Sequence, residues 1–527
     1  MPVSRQPATN PLRERVVVVG AGVGGLVAAL ELAHRGVDVT LVERAAEPGG
    51  KMRRVPVGDT WIDGGPTVFT MRWVFDRLFD DLGLALDDHL RLQPLRVLAR
   101  HAWSADERFD LHADVGRAAE AVGDFAGAAA ARGFLAFVER GRAIFRTLDE
   151  PFMRSSRPNP VSLAWRVGLR GLPGLVGISP FTTLWRELGR YFPDPRLRQL
   201  FGRYATYCGA SPFHAPATLM LVAHVEQEGV WAVDGGMHRI AQVLAALARH
   251  AGARLRFGCE VCEIVVEAGR ARGVRLADGE TLPADAVVFN GDVAALAQGL
   301  LGESARRAAV PVPPSRRSLS AVTWSALARA EGFPLVRHSV FFSRDYPAEF
   351  AEITRERRLP STPTVYVCAQ DRSDDGAAPA GAERLLVLVN APADGDHRPI
   401  APEELAACEA RTFRHLAACG LQVSLDPSAT QVTTPSGFHR LFPGTGGALY
   451  GQASHGWQAS FTRPGSASRI PGLVLAGGSA HPGPGVPMAA LSGRLAASRV
   501  LDELRRTRPR STAPWPKAAT PGGMSTR

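Results

Sequence analysis

The stretch Val16-Val17-Val18-Val19-Gly20-Ala21-Gly22-Val23-Gly24-Gly25-Leu26 decides how this chain folds. Four consecutive valines make a strand apolar on both faces, as a parallel sheet covered by helices requires. Gly20, Gly22 and Gly25 follow it at G-x-G-x-x-G spacing. Each answers a steric need: Gly20 the tight turn, Gly22 the close approach of backbone to a pyrophosphate, and Gly25 the packing of the next helix, expected over residues 26–35, on the strand. Phosphates then rest on the N-terminus of that helix. A second strand over 37–42 ends at Glu43, where such a fold needs a carboxylate for the hydroxyls of an adenosine ribose. A glycine turn alone is an ordinary strand-to-helix corner. Strand, helix, second strand and acid in one register read as a dinucleotide-binding unit.

Two more glycine turns follow, Pro48-Gly49-Gly50-Lys51-Met52-Arg53 and Ile62-Asp63-Gly64-Gly65-Pro66-Thr67. Far downstream, Ile470-Pro471-Gly472-Leu473-Val474-Leu475-Ala476-Gly477-Gly478-Ser479 reads as a buried strand and turn, and Ala480-His481-Pro482-Gly483-Pro484-Gly485-Val486-Pro487-Met488 leads into a helix over 489–501. Between these ends, residues 238–250 read as an amphipathic helix, 254–266 as one strand and 284–292 as a core strand with its exit turn. Together these segments resemble the amine oxidase and phytoene desaturase superfamily, from residue 16 to residue 500. The resemblance implies an α/β protein: a Rossmann-like FAD-binding domain with an inserted mixed α+β substrate domain. It implies FAD as the cofactor, bordered by Gly20, Gly22, Gly25, Glu43, Gly50, Lys51, Arg53, Gly65, Pro66, Thr67, Val261, Gly478, Val486 and Met488. For Lys51 and Arg53 the plainer reading is a solvated loop.

Within that superfamily, residues 63–76 and Leu98-Ala99-Arg100-His101 look most like the bacterial acyclic carotenoid desaturases, in particular the hydroxyneurosporene (methoxyneurosporene) desaturase group. The resemblance implies introduction of a C-3,4 double bond beside a 1-hydroxy or 1-methoxy end group, in spheroidene- or spirilloxanthin-type carotenoid synthesis. Such a C–C bond offers neither an acidic proton nor a leaving group, so its oxidation needs a two-electron acceptor held dry against the chain. No second G-x-G-x-x-G marks an NAD(P) site, so the electrons must pass to oxygen, a quinone or another external acceptor. Phe137-Val138-Glu139-Arg140-Gly141-Arg142 resembles the segment where related desaturases carry an acid and an arginine near the flavin, which maps to Glu139 and Arg142. At i, i+3 they share a helix face, and an exposed ion pair is the alternative reading. Trp457 and Phe461 either line the polyene tunnel or belong to the core. A phytoene or neurosporene desaturase, an amine oxidase and a non-catalytic prenyl-binding escort on the related GDI-like fold are the rival functions. The intact glycines and Glu43 weigh against the last.

Composition sets outer bounds. The chain has 527 residues, 45% of them hydrophobic, and carries a net charge of +10. Lysine occurs only at Lys51 and Lys517, so the charge is nearly all arginine, and it is scattered rather than gathered into the aromatic-studded basic stripe that nucleic acid needs. No segment reaches the roughly 20 apolar residues of a spanning helix, and residues 1–14 form a loose leader without a signal core. The expected location is cytoplasmic, peripheral on the inner face of the cell membrane, with residues 160–185 as either a membrane-associating segment or a core helix pair. The six cysteines, Cys259-x-x-Cys262 included, read as small packing residues, and no metal is expected. The FAD-binding domain is expected over 15–85, 225–300 and 465–505, the substrate domain over 86–224 and 301–464, and a tail over 508–527.

Overall fold

The computed structural model describes residues 14–155, 179, 181–373 and 377–507. Arg15–Val19 forms the middle strand of a five-stranded parallel sheet, with its four valines buried. Asp38–Val42 and Ala286–Phe289 flank it, and Arg254–Arg256 and Leu473–Leu475 lie at the edges. Parallel neighbours need long crossovers, and here three distant stretches of chain supply them. Helix Val23–His34 packs against helices His238–His250 and Val486–Thr507. Nearly all of its residues are buried, which explains its lack of a polar face.

The region 254–266, expected as one strand, is two. Gly258, at a left-handed φ of 68°, ends Arg254–Arg256, and Val261–Glu267 then joins a separate antiparallel sheet with Arg270–Leu276 and Thr281–Pro283.

A second, larger sheet of eight strands has Ser320–Glu331 near one edge and is antiparallel apart from the pair of His338–Phe341 with Val97–Ala102. Nothing in the sequence announced Ser320–Glu331, because alanine and serine fill six of its twelve positions and favour strands weakly. It is a strand because Glu383–Ala391 and Thr430–Thr433 satisfy its two edges and Trp324 is fully buried. His338–Phe341, Val365–Ala369 and Glu383–Ala391 are further strands of this sheet. The hairpin Arg54–Val57 and Thr60–Asp63 lies among the nucleotide-fold turns in sequence, yet it buries Val55, Val57 and Ile62 against Leu327 of the large sheet.

The segment 160–185 falls largely outside the described residues, as do the leader apart from Glu14 and the tail 508–527. Among the described residues no helix is long and apolar enough to cross a membrane. Of the cysteines, Cys368, Cys408 and Cys419 are buried, but Cys262 is exposed; its strand lies at the protein surface, so it does not pack as expected.

Candidate active site

One cavity of about 1070 Å³ runs from the C-terminal ends of the parallel strands at Val19, Val42 and Phe289 to the face of the large sheet that carries His338, Tyr366 and Leu388. In an open α/β sheet this crevice is where ligands bind. Gly20, Gly22, Glu43, Gly50, Lys51, Arg53, Gly65, Pro66, Thr67, Val261, Gly478, Val486 and Met488 all line it, together with Trp457 and Phe461. Gly25 stands just behind the wall. A Cβ there would lie 2.1 Å from the Gly20 carbonyl oxygen, so the residue allows the helix to approach rather than contacting a ligand.

The glycine turns converge on one another. The Gly49 amide donates to the Ala21 carbonyl at 2.8 Å, and a Cβ on Gly65 would fall 1.8 Å from the Lys51 carbonyl oxygen. Asn290 sits at their centre, donating to the Gly20 carbonyl at 3.3 Å and closing against Gly22, Gly24 and Gly477. The Glu43 carboxylate accepts from the amides of Ala21 at 2.7 Å and Ala45 at 2.8 Å, which fixes it at the strand end.

These features fit FAD. Helix Val23–His34 begins on the cavity with no side-chain cap and no acid in its first turn, so its free N–H groups and dipole are left for an anion. Helix Val486–Thr507 begins on the same cavity, again with no acid in its first turn. Lys51 and Arg463 add positive charge, and neither has a carboxylate within ion-pair distance among the described residues. Lys51 donates to the Leu449 carbonyl at 2.6 Å; Arg463 donates to the carbonyls of Tyr450, Gln452 and Gly478 at 3.2, 2.6 and 3.1 Å. Burial pulls the Lys51 ammonium below its ordinary pKa, with Asp292 opposing and Arg463 adding to the effect. Arg53 donates to Thr433 Oγ1 at 3.0 Å and keeps its buried Nε unpartnered. Lys51 and Arg53 are therefore cavity residues and not a solvated loop.

Glu139 and Arg142 are placed differently. They pair at 3.1 Å on helix Ala128–Leu148, with side chains 64% and 39% exposed, and neither lines the cavity. Helix phase is the reason: the buried stripe of that helix is Phe134, Phe137, Val138, Gly141, Ile144, Phe145 and Leu148, and the pair lies off it. The expectation that they stand beside the flavin is corrected on this geometry. Trp457 is exposed at the cavity rim and meets the ring of Phe181 at 5.7 Å, and Phe461 stacks edge-on with Phe152 at 5.6 Å.

The sequence did not single out the polar groups on the substrate side. Four of the six tyrosines, Tyr207, Tyr346, Tyr366 and Tyr450, line the cavity, a concentration of the chain's rarest aromatic that was the available signal. The Tyr366 hydroxyl lies 2.6 Å from Thr67 Oγ1 and 2.8 Å from His338 Nδ1. Burial drives the pKa of His338 down to about 3, helped by the nearby Arg337 and Arg203 charges, so the ring is neutral. Glu226, buried, accepts from Tyr204 Oη at 2.6 Å and Tyr207 Oη at 2.7 Å, and burial raises its pKa against those bonds.

A parallel nucleotide sheet, two helix starts without acids in their first turns and a long mixed cavity define a flavin-dependent oxidoreductase. The profile of the family "Flavin containing amine oxidoreductase" matches residues 23–501, and the chain belongs to that family. It is 58% identical over 520 residues to the hydroxyneurosporene desaturase of Rubrivivax gelatinosus, covering 98% of each chain. It is 48% identical to the hydroxyneurosporene desaturase of Cereibacter sphaeroides, covering 93% of this chain and 98% of that one. Among solved structures, an oxidoreductase from Methanosarcina mazei superposes with a TM-score of 0.56 at 17% identity, over 93% of this chain and all of the other. The cofactor is FAD.

Proposed function

We propose that the protein desaturates acyclic carotenoids, introducing the C-3,4 double bond next to a 1-hydroxy or 1-methoxy end group, in spheroidene- or spirilloxanthin-type carotenoid biosynthesis. The observation that carries this reading is the continuity of the cavity: the wall that fits FAD and the apolar wall of Leu148, Leu219, Val222 and Val225 enclose a single space. Bound there, FAD would supply a two-electron acceptor for the hydride that leaves one carbon, while the adjacent carbon loses a proton as the double bond forms. The protein's part is to orient and to keep dry. Gly65, Pro66 and Thr67 carry the cofactor wall up to the large sheet, where Thr67 bonds Tyr366, and the apolar side chains exclude water from the reacting carbons. The FAD contacts assigned to Glu43, Lys51, Val261, Gly478, Val486 and Met488 are part of this proposal.

The electrons then go to an external acceptor, oxygen or a quinone. We place the protein peripherally on the inner face of the cell membrane. In support, Phe181 and Trp457, 82% and 39% exposed, form an aromatic pair at the rim of the cavity, where a lipid-dissolved substrate enters.

The test is to supply cells making phytoene alone, or 1-hydroxyneurosporene, with this protein. A red shift from one added conjugated double bond, only with the hydroxylated carotenoid, is the expected result. Conversion of phytoene instead selects the rival phytoene desaturase activity, and no conversion of either by flavin-loaded protein reopens the substrate class.

A further inference from the structure

The substrate wall holds an enclosed cation with no ion pair among the described residues. Arg203, in the turn Arg203–Cys208, lines the cavity, and its guanidinium lies 5.1 Å from the Tyr207 ring centroid and 5.4 Å from that of Tyr366. Only Nη1 is engaged among the described residues, donating to Tyr207 Oη at 3.1 Å. Among the described residues no carboxylate stands within ion-pair distance, and the acid in the cluster, Glu226, spends both oxygens on Tyr204 and Tyr207. The remaining N–H donors of the fork are unclaimed among the described residues. An enclosed cation with unpaired donors is costly in an apolar tunnel, so a ligand atom that accepts hydrogen bonds is the natural partner.

An acyclic carotenoid is hydrocarbon except at a modified end. We propose that Arg203 is the specificity residue of this enzyme, its guanidinium donating to the oxygen on C-1 of the substrate, with Tyr207 and Glu226 positioning it. This rests on the functional reading above and adds the group that reads the end. The placement is consistent with the bond oxidised: the C-3,4 bond lies within three bonds of that oxygen, and Arg203 packs on Tyr366, whose hydroxyl bonds Thr67 in the cofactor wall. A guanidinium only donates. It accepts a hydroxyl and a methyl ether alike, because both oxygens receive a hydrogen bond, and it penalises a bare hydrocarbon, which drives off water and leaves the donors unpaired.

The experiment uses the full-length FAD-loaded protein with a quinone acceptor and three substrates: 1-hydroxyneurosporene, its methyl ether and neurosporene. Wild type is expected to convert the first two with kcat/KM values within about tenfold of each other and to discriminate against neurosporene by roughly 100-fold or more, as a site built for a polar group does. In Arg203→Leu that ratio collapses by about tenfold or more at unchanged flavin absorbance. Tyr207→Phe, a gentler change, lowers it by a smaller factor, and Arg203→Lys restores part of it. Retained discrimination in Arg203→Leu overturns the assignment, as does an equal loss on all three substrates or loss of bound flavin, either of which makes Arg203 structural or a cofactor contact. A wild type that shows no preference for the oxygenated substrates sinks the functional reading itself.

Discussion

The two walls of the cavity are built by different means. On the cofactor side the main chain does most of the work: glycine turns at 20–25, 49–50 and 64–65 touch one another, helix Val23–His34 starts without a side-chain cap, and helix Val486–Thr507 starts with no acid in its first turn. On the substrate side Arg203 and Tyr207 come from one turn, Glu226 from a helix, and His338 and Tyr366 from two neighbouring strands of the large sheet, and the site is made by their side chains. A main-chain site tolerates no added atom. A side-chain site tolerates changes of shape but is sensitive to charge and protonation, because its polar groups are shut away from water.

Acid should separate the walls most clearly. His338 is neutral in both the folded and unfolded chain at pH 7. Below about 6.5 the unfolded chain takes up a proton that the folded ring refuses until about pH 3, so this residue costs stability progressively through that window. The expected loss is about 3 kcal/mol between pH 7 and pH 4, read as the difference between wild-type and His338→Gln unfolding free energies at those two pH values. Equal acid sensitivity of the two proteins would mean that this side of the cavity opens to water.

The cofactor wall is probed by Gly65→Ala. With the Lys51 carbonyl oxygen 1.8 Å from the new carbon, overpacking of about 1–3 kcal/mol is expected, seen as roughly tenfold or more weaker flavin retention in the absorbance spectrum of the purified protein. Undiminished flavin content would show that the turn is free to shift and is not a cradle.

The smallest effect belongs to Glu139 and Arg142, the same residue types as Glu226 and Arg203 but on an exposed helix face. Glu139→Gln should change stability by about 0.5 kcal/mol or less and leave carotenoid conversion untouched. A large fall in turnover would restore the pair to the reacting centre. The contrast rests on burial alone, since residue type and i, i+3 spacing are compatible with either role.

Much of the nucleotide half was legible in the sequence because its determinants are local. The valine strand, the glycine spacing and the acid after the second strand stand within Val16 to Glu43, and helix His238–His250 runs where its periodicity placed it. The strand expected over 254–266 broke in two where a single glycine, Gly258, turned the chain. The large sheet was only partly legible. Val365–Ala369 carries β-branched residues, whereas Ser320–Glu331 is held by its neighbours despite its own composition.

By itself, then, the sequence determined the dinucleotide fold and the family to which the chain belongs, because backbone conformation and close approach are dictated by which residues lack a side chain and how far apart they stand. Tertiary structure alone decided which charges are hidden. Arg142 and Arg203 are equivalent in sequence, and only the packing of distant elements leaves one in water and encloses the other between two tyrosine rings, where a guanidinium has few partners to choose from.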